Sequence, residues 1–358
     1  MRLLVVKTSS LGDVIHALPA VTDAMHAIPG LRVDWLVEHS FAEIPRWHPA
    51  VDAVIPVAVR RWRAMPFSLR RDPIWRSFRA ALHDRHYDLV LDAQGLVKSA
   101  LLARFAHGPK AGFDFRSVRE PLAALSYRHR YAVTRDLHAV TRLRALFAAA
   151  LGYPLPATTA DYGLVVAAEP PTESVPALLF FHGTTWASKH WPERYWLALA
   201  QRAVAAGYQV WLPWGNDDEK ARAERLASAA DAIKVLPRSS LTELAIKLQQ
   251  VHAVVAVDTG LGHLAAALGV PSVSLYGATN PALTSTHGRG QIHLAAQFGC
   301  SPCLRRHCTY NGASDERPAC YETIAPERVW QTLLPILQQQ LPTAIAFGAS
   351  TLGRTKPA

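Results

Sequence analysis

The sequence predicts an α/β fold made of two parallel-sheet domains that face a cleft. Three observations predict it. Short runs rich in Val, Ile, Leu and Phe recur along the chain, and most are followed by a stretch with helical apolar spacing. Alternation of this kind buries strands beneath helices on both faces of a sheet. The chain has 358 residues, which suits two domains better than one. Near the middle, "YPLPATTADYGLVVAAEPPTESVPA" is rich in proline and small residues and reads as a linker.

In the first half, "RLLVVK" reads as a buried strand. "DVIHALPAVTDAMHAI" reads as a helix, kinked or interrupted near Pro19 and finished before Pro29-Gly30. "LRVDWLVE" and "VDAVIPV" are strands. Asp72 caps the next helix, with Pro73 at its first position. Ile74, Trp75, Phe78, Ala81 and Leu82 share one face of it. "YDLVLDAQG" is a strand ending at Asp92, and helices follow around 96–105 and 138–151.

The second half repeats the pattern more cleanly. "ALLFFHG", "YQVWLPWG", "AIKVLP", "VHAVVAVD" and "PSVSLYG" are strands. "WPERYWLALAQRAVAAG", "DDEKARAERLASAA", "SLTELAIKLQQ" and "TGLGHLAAALG" are the helices between them. Gly207 ends the first of these, and Ser240 with Glu243 forms a capping box on the third. "APERVWQTLLPILQQQL" is a last helix. The expected division is 1–165, 176–325, a C-terminal helix over 326–342 and a disordered tail over 343–358. Two Rossmann-like domains in tandem, with a cleft between them, are the architecture of GT-B glycosyltransferases.

Half of the residues are hydrophobic, enough for a substantial core. No apolar run approaches the ~18 residues that cross a bilayer, and the first strand is too short for a secretory signal core. The expectation is a soluble cytoplasmic protein. The formal charge of +10 points to an anionic partner, and the excess of arginine over lysine suits phosphate and carboxylate recognition. No helix-turn-helix, zinc-finger or RNP pattern supports nucleic acid.

Ligands of open α/β sheets bind at the carboxyl ends of the strands, which selects a few loops. Asp13 lies on the first, beside Ser9, Ser10 and Gly12. Its position alone favours a helix-start acid over a catalytic carboxylate. Asp258 ends a strand before Thr259-Gly260, where exposed helix-start amides suit a diphosphate and His263 lies in the first turn. Gly260 and Gly262 admit close backbone approach. The loop lacks G-x-G-x-x-G with a following acid, which disfavours a nicotinamide cofactor. Thr184, Thr185, Ser188 and Lys189 suit a phosphate-bearing leaving group, and Glu219 suits ribose hydroxyls or, equally, a helix start. Arg60, Arg61 and Arg63, with Trp62, Phe67 and Trp75 nearby, read as a docking face for an anionic amphipathic surface. Among Cys300, Cys303, Cys308 and Cys320 only the first pair has C-x-x-C spacing. The set reads either as a structural metal site or as free thiols on a loop.

Together, "KTSSLGDVIHALPAV", "DAQGLVKSALLAR", "KHWPERYW" and "VDTGLGHLAAALGVPSVSLYG" resemble, in the same order over about residues 1–285, the inverting lipopolysaccharide heptosyltransferases of glycosyltransferase family 9. "KTSSLGD" and "DAQGLVKSA" favour the type I branch, whereas the cysteine-bearing segment 297–322 looks like an element of other branches. The resemblance implies transfer of L-glycero-D-manno-heptose from ADP-heptose onto Kdo of Kdo2-lipid A. The implied place is the cytoplasmic face of the inner membrane, against its anionic surface. It implies Asp13 as general base, with no cofactor or metal required. It puts Ser10, Arg60, Arg61, Arg63, Lys98, Arg119 and His138 on the acceptor side. Thr184, Thr185, Lys189, Glu219, Asp258, Thr259, Gly260 and His263 fall on the donor side. The competing readings are a type II or III heptosyltransferase, a GT-B sugar-nucleotide epimerase and a non-enzymatic anionic-surface binder.

Overall fold

The computed structural model describes residues 1–64, 66–167 and 175–340. Part of the expected linker and the whole expected tail lie outside the described residues. The first half forms β1 (Arg2–Val6), β2 (Arg32–Glu38), β3 (Val51–Val57), β4 (Leu89–Asp92), β5 (Lys110–Phe113) and β6 (His129–Tyr131). The second forms β7 (Ala177–Phe181), β8 (Gln209–Leu212), β9 (Ile233–Val235), β10 (Ala253–Val257), β11 (Ser272–Tyr276) and β12 (Gln291–Ala295). Every pairing is parallel, in the orders β3-β2-β1-β4-β5-β6 and β12-β11-β10-β7-β8-β9. Read in chain order these are the same winding, so the expected pair of Rossmann-like sheets is present. In each, the direction of winding reverses between the first and fourth strands, and a crevice opens there at the carboxyl ends.

The helices are α1 (Leu11–Ala27), α2 (Glu43–Arg46), α3 (Val59–Ala64), α4 (Pro73–His83), α5 (Val97–Ala103) and α6 (Ala139–Leu151). In the second half they are α7 (Glu193–Ala205), α8 (Asp217–Ala227), α9 (Leu241–Leu248), α10 (Gly260–Ala267), α11 (Pro281–Thr284) and α12 (Pro326–Gln340). α12 packs on α7, so the last helix joins the second half.

Strand residues alternate between two buried faces, which is why the strands read as unbroken apolar runs. Leu3 and Val5 of β1 join one core with Leu179 and Phe181 of β7 and Val254 and Ala256 of β10. Leu4 and Val6 pack on the opposite side with Phe78 and Leu82 of α4. Leu178, Phe180 and Val255 face α7 and α12. One apolar core therefore runs through both halves and fixes the sheets against each other.

Three departures from the sequence expectation have physical causes. α1 begins at Leu11, two residues earlier than its pattern, because Ser10 takes the cap position. Pro19 does not interrupt it; the helix is continuous and buried along this stretch, packed on α6. The sequence pattern does not mark β5, β6 and β12 as strands. They are short, and their pairing with a formed neighbour supplies what their own pattern lacks.

Candidate active site

The carboxyl ends of the two sheets face each other, and the helices that leave their crevices meet there. A Cβ added at Gly12 in α1 would lie 2.7 Å from Cδ2 of His263 in α10. A Cβ added at Gly260 would lie 2.8 Å from that of Leu11. Glycine at 12 and 260 thus lets two helix starts touch. At Gly260 the close neighbour is the Leu11 side chain, and at Gly262 it is Ala256 and Thr286 of its own half. Below this contact the His16 and His263 rings share a hydrogen bond, Nε2 to Nδ1, of 3.1 Å.

Asp13 sits in the first turn of α1, with its side chain about one third exposed (34%). Its carboxylate accepts from the Ser10 N–H at 2.9 Å and from Ser10 Oγ at 3.1 Å. Lys7 Nζ, almost fully buried, lies 3.7 Å away and donates to the Ala93 carbonyl. Burial pulls the Asp13 carboxyl upward. Lys7, the two Ser10 bonds and Arg119 outweigh burial and hold it below the ordinary aspartate value. Asp13 is therefore ionised at neutral pH with one oxygen free of Ser10. It is a helix-start acid and an available base at once.

A second loop fixes this one. Asp92 ends β4, fully buried, and accepts from the Gln94 and Gly95 N–H groups, Ser99 Oγ and Tyr127 Oη. Burial raises its pKa in spite of these bonds. Gln94 Oε1 accepts from the Thr8 and Ser9 amides, and Lys98 Nζ donates to Ser9 Oγ at 3.1 Å. Lys98 and Arg119 thus belong to the Asp13 crevice. Ser10 meets it through its own hydrogen bonds.

The opposing crevice lies between β7 and β10. Lys189 Nζ pairs with Asp258 Oδ2 at 2.7 Å and lies over the Trp186 ring. Thr279 Oγ1 donates to the same Asp258 oxygen, and Thr184 Oγ1 to the Asp258 carbonyl. Thr185 is exposed on the loop. Thr259 caps α10 without using its side chain, so the helix-start amides remain available. Glu219 accepts from the Gly215 N–H, and its carboxylate lies where a Cβ on Gly183 would stand. Burial holds His263 neutral, with a pKa of about 4, against the pull of Asp258 and Asp13. One buried ring therefore senses both crevices.

His138 adjoins this grouping: its ring meets that of His16 edge-on at 5.7 Å. Its Nε2 meets the Ser285 carbonyl at 3.1 Å, and its ring stacks on His287 at 5.0 Å, so it ties α6 to the second half beneath the cleft. Arg60, Arg61 and Arg63 are exposed on α3, and Arg61 pairs with Asp72. Of the aromatics expected to form a surface with them, Trp62 does not. Trp62 is buried against Trp75 and Phe78, because an amphipathic turn beside β3 turns its rings into the core. The Phe67 side chain lies outside the described ones.

All four cysteines are unpaired and line one cavity of about 330 Å³ together with Ser188. Among the described residues no three His, Cys, Asp or Glu side chains are disposed to hold a metal ion. Burial and the three neighbouring thiols push Cys320 up to about 12. The segment abuts the loop that carries Lys189. The Arg306 carbonyl accepts the Ser188 N–H, the Arg305 carbonyl accepts Ser188 Oγ, and Tyr321 Oη donates to the Lys189 carbonyl. Sequence reasoning missed Lys7, His16, Gln94 and Tyr127. Lys7 and His16 stand within the stretch that carries Asp13, and Gln94 within "DAQGLVKSALLAR"; Tyr127 shows no local signal.

The sequence profile of glycosyltransferase family 9 (heptosyltransferase) matches residues 75–314. Lipopolysaccharide heptosyltransferase 1 of Pseudomonas aeruginosa is 53% identical over 343 residues, covering 92% of this chain and 96% of that protein. The enzyme of the same name from Escherichia coli K12 is 48% identical over 295 residues, 82% of this chain and 92% of its own. The solved structure of E. coli heptosyltransferase WaaC with ADP superposes with a TM-score of 0.82 at 43% identity, covering 94% of this chain and all of that one. WaaC with ADP-2-deoxy-2-fluoro heptose gives 0.79 at 42%, covering 94% and 99%.

Proposed function

The chain belongs to glycosyltransferase family 9, the heptosyltransferases, and from that premise we propose its reaction. It transfers heptose from ADP-heptose onto the lipopolysaccharide core. The sugar moved is L-glycero-D-manno-heptose and the acceptor is a Kdo hydroxyl of Kdo2-lipid A. The observation that carries the reading is an ionised carboxylate, Asp13, at the switch point of one sheet. The start of its helix touches the start of α10 at the switch point of the other, where His263 feels the charges of both Asp13 and Lys189.

Asp13 takes the proton as the acceptor oxygen forms its bond to the anomeric carbon. The bond from that carbon to the diphosphate breaks on the opposite face, and ADP leaves with the electron pair. Lys189, the α10 amides at Thr259 and Gly260, and an N–H of neutral His263 meet the growing negative charge. Asp258 orients Lys189, Thr184 and Thr185 line the phosphate loop, and Glu219 receives ribose hydroxyls. Residues 1–165 hold the acceptor through Ser10, Lys98, Arg119 and the Arg60, Arg61 and Arg63 helix, with His138 behind them. Residues 176–325 hold the donor, and the helix over 326–342 supports them. Under this reading the enzyme meets its lipid-borne acceptor from the cytoplasmic side of the anionic inner membrane; among the described residues no helix is long and apolar enough to cross a membrane.

Incubation of the purified protein with ADP-heptose and Kdo2-lipid A tests this. A product heavier by one heptose is expected. Transfer only to an acceptor that already bears a heptose would move the chain to another branch.

A further inference from the structure

The first sheet ends in a surface that the reaction does not use. Leu122 is 69% exposed and Leu125 65%, on a 3-10 helix over Pro121–Ser126 whose Ala123 and Ala124 are buried. Residues three apart eclipse in a 3-10 helix, so the two leucines form one ridge. This inverts the usual placement: the small residues face the core and the large apolar ones face solvent. Phe115, 44% exposed, lies under the Arg130 guanidinium, and Leu101, 54% exposed, stands on α5, which packs against this helix.

We propose that this ridge is where the protein seats itself on an anionic lipid bilayer. The ridge is held firmly. Arg130 Nε donates to the Ala124 carbonyl at 2.8 Å, the Glu120 N–H donates to the Gly95 carbonyl, and Tyr127, just beyond, is anchored on Asp92. The charge around it selects the occupant. Arg116, Arg119, Arg128, Arg130 and Arg135 fall within 114–136, against three carboxylates, Asp114, Glu120 and Asp136. Glu120 already accepts from the Val97 N–H at 2.7 Å. Exposed leucines set among arginines match the acyl boundary and phosphates of an anionic leaflet. Beside the α3 arginines, Trp62 is turned inward.

The ridge is also continuous with the Asp13 crevice. Arg119, three residues before Leu122, is close enough to lower the Asp13 carboxyl. This inference rests on the proposed reading, under which the acceptor is lipid-borne. The seat then brings the lipid surface to the mouth of the crevice.

Flotation of the full chain with vesicles of phosphatidylcholine, alone or with about one third phosphatidylglycerol, tests it. Wild type is expected to float with the anionic vesicles only. L122S/L125S should lower that partition at least ~10-fold, from the apolar area of two leucines. Its stabilisation by ADP, and its transfer to a deacylated water-soluble acceptor, should match wild type. Equal flotation of variant and wild type would overturn the proposal. So would a wild type that stays with the protein fraction, or a wild-type dimer that the variant splits. No transfer by either protein, with the flotation difference intact, would reject the transfer reading and leave the seat supported.

Discussion

Gly12→Ala perturbs the contact between the two halves with the smallest change available. The added methyl would lie 2.7 Å from His263 Cδ2 and 3.2 Å from its Nε2. His263 is 6% exposed and cannot swing into solvent, and on its other side His16 Nε2 stands at 3.1 Å. The ring must shift or the helix starts must part. Overpacking of this kind costs about 1–3 kcal/mol, and loss of the shared imidazole bond about 1 kcal/mol more. A total of about 2–4 kcal/mol against the juxtaposed crevices corresponds to a fall of roughly 30- to 1000-fold in kcat/KM. Steady-state transfer assays read that fall, and circular dichroism checks that the sheets remain. Because the clash is pairwise, Gly12→Ala combined with His263→Ala should lose less than the sum of the two single changes. Gly12→Ala with wild-type kcat/KM and an unchanged Tm would refute this packing of His263 on α1.

Lys189→Ala removes a partly buried cation and leaves Asp258 without its ion-pair partner, so ADP should bind about 10- to 100-fold more weakly by calorimetry; unchanged ADP affinity would take Lys189 out of the proposed donor site. Tyr127→Phe strips one donor from the buried Asp92 and should lower stability by about 1–3 kcal/mol in denaturant melts. His138 and His263 are held neutral by burial, each with a pKa of about 4, below the unfolded value near 6.5. Below that unfolded value the unfolded chain binds more protons, so the stability they contribute is whole above about pH 6.5 and falls as pH drops toward about 4. Tm should decline across that window, and a flat Tm would contradict the buried imidazoles.

Much of this fold is legible because its strands are buried on both faces, and β1, β7 and β10 announce themselves as unbroken apolar runs. β6 does not: "HRY" is short, charged and at a sheet edge, and only its pairing with β5 makes it a strand. The carboxylate at 13 and the Thr259–Gly260 turn are legible because winding order alone sends ligands to those loops. What escapes is whatever depends on distant partners. His16 and His263 are 247 residues apart, and nothing near either one signals that they meet. The same holds for Gln94, whose value lies in capping the Thr8 and Ser9 amides. Trp62 misleads for the opposite reason, since aromatics among arginines look like a surface until β3 supplies a core for them to enter.

The most direct test of the account is Asp13→Asn. The amide keeps the size of the side chain and an oxygen for the Ser10 N–H, but cannot take a proton. ADP should still stabilise the variant as it does wild type, while kcat for transfer to Kdo2-lipid A falls about 10²- to 10⁴-fold. Turnover within a few-fold of wild type would show that Asp13 only starts a helix and that the proton goes elsewhere.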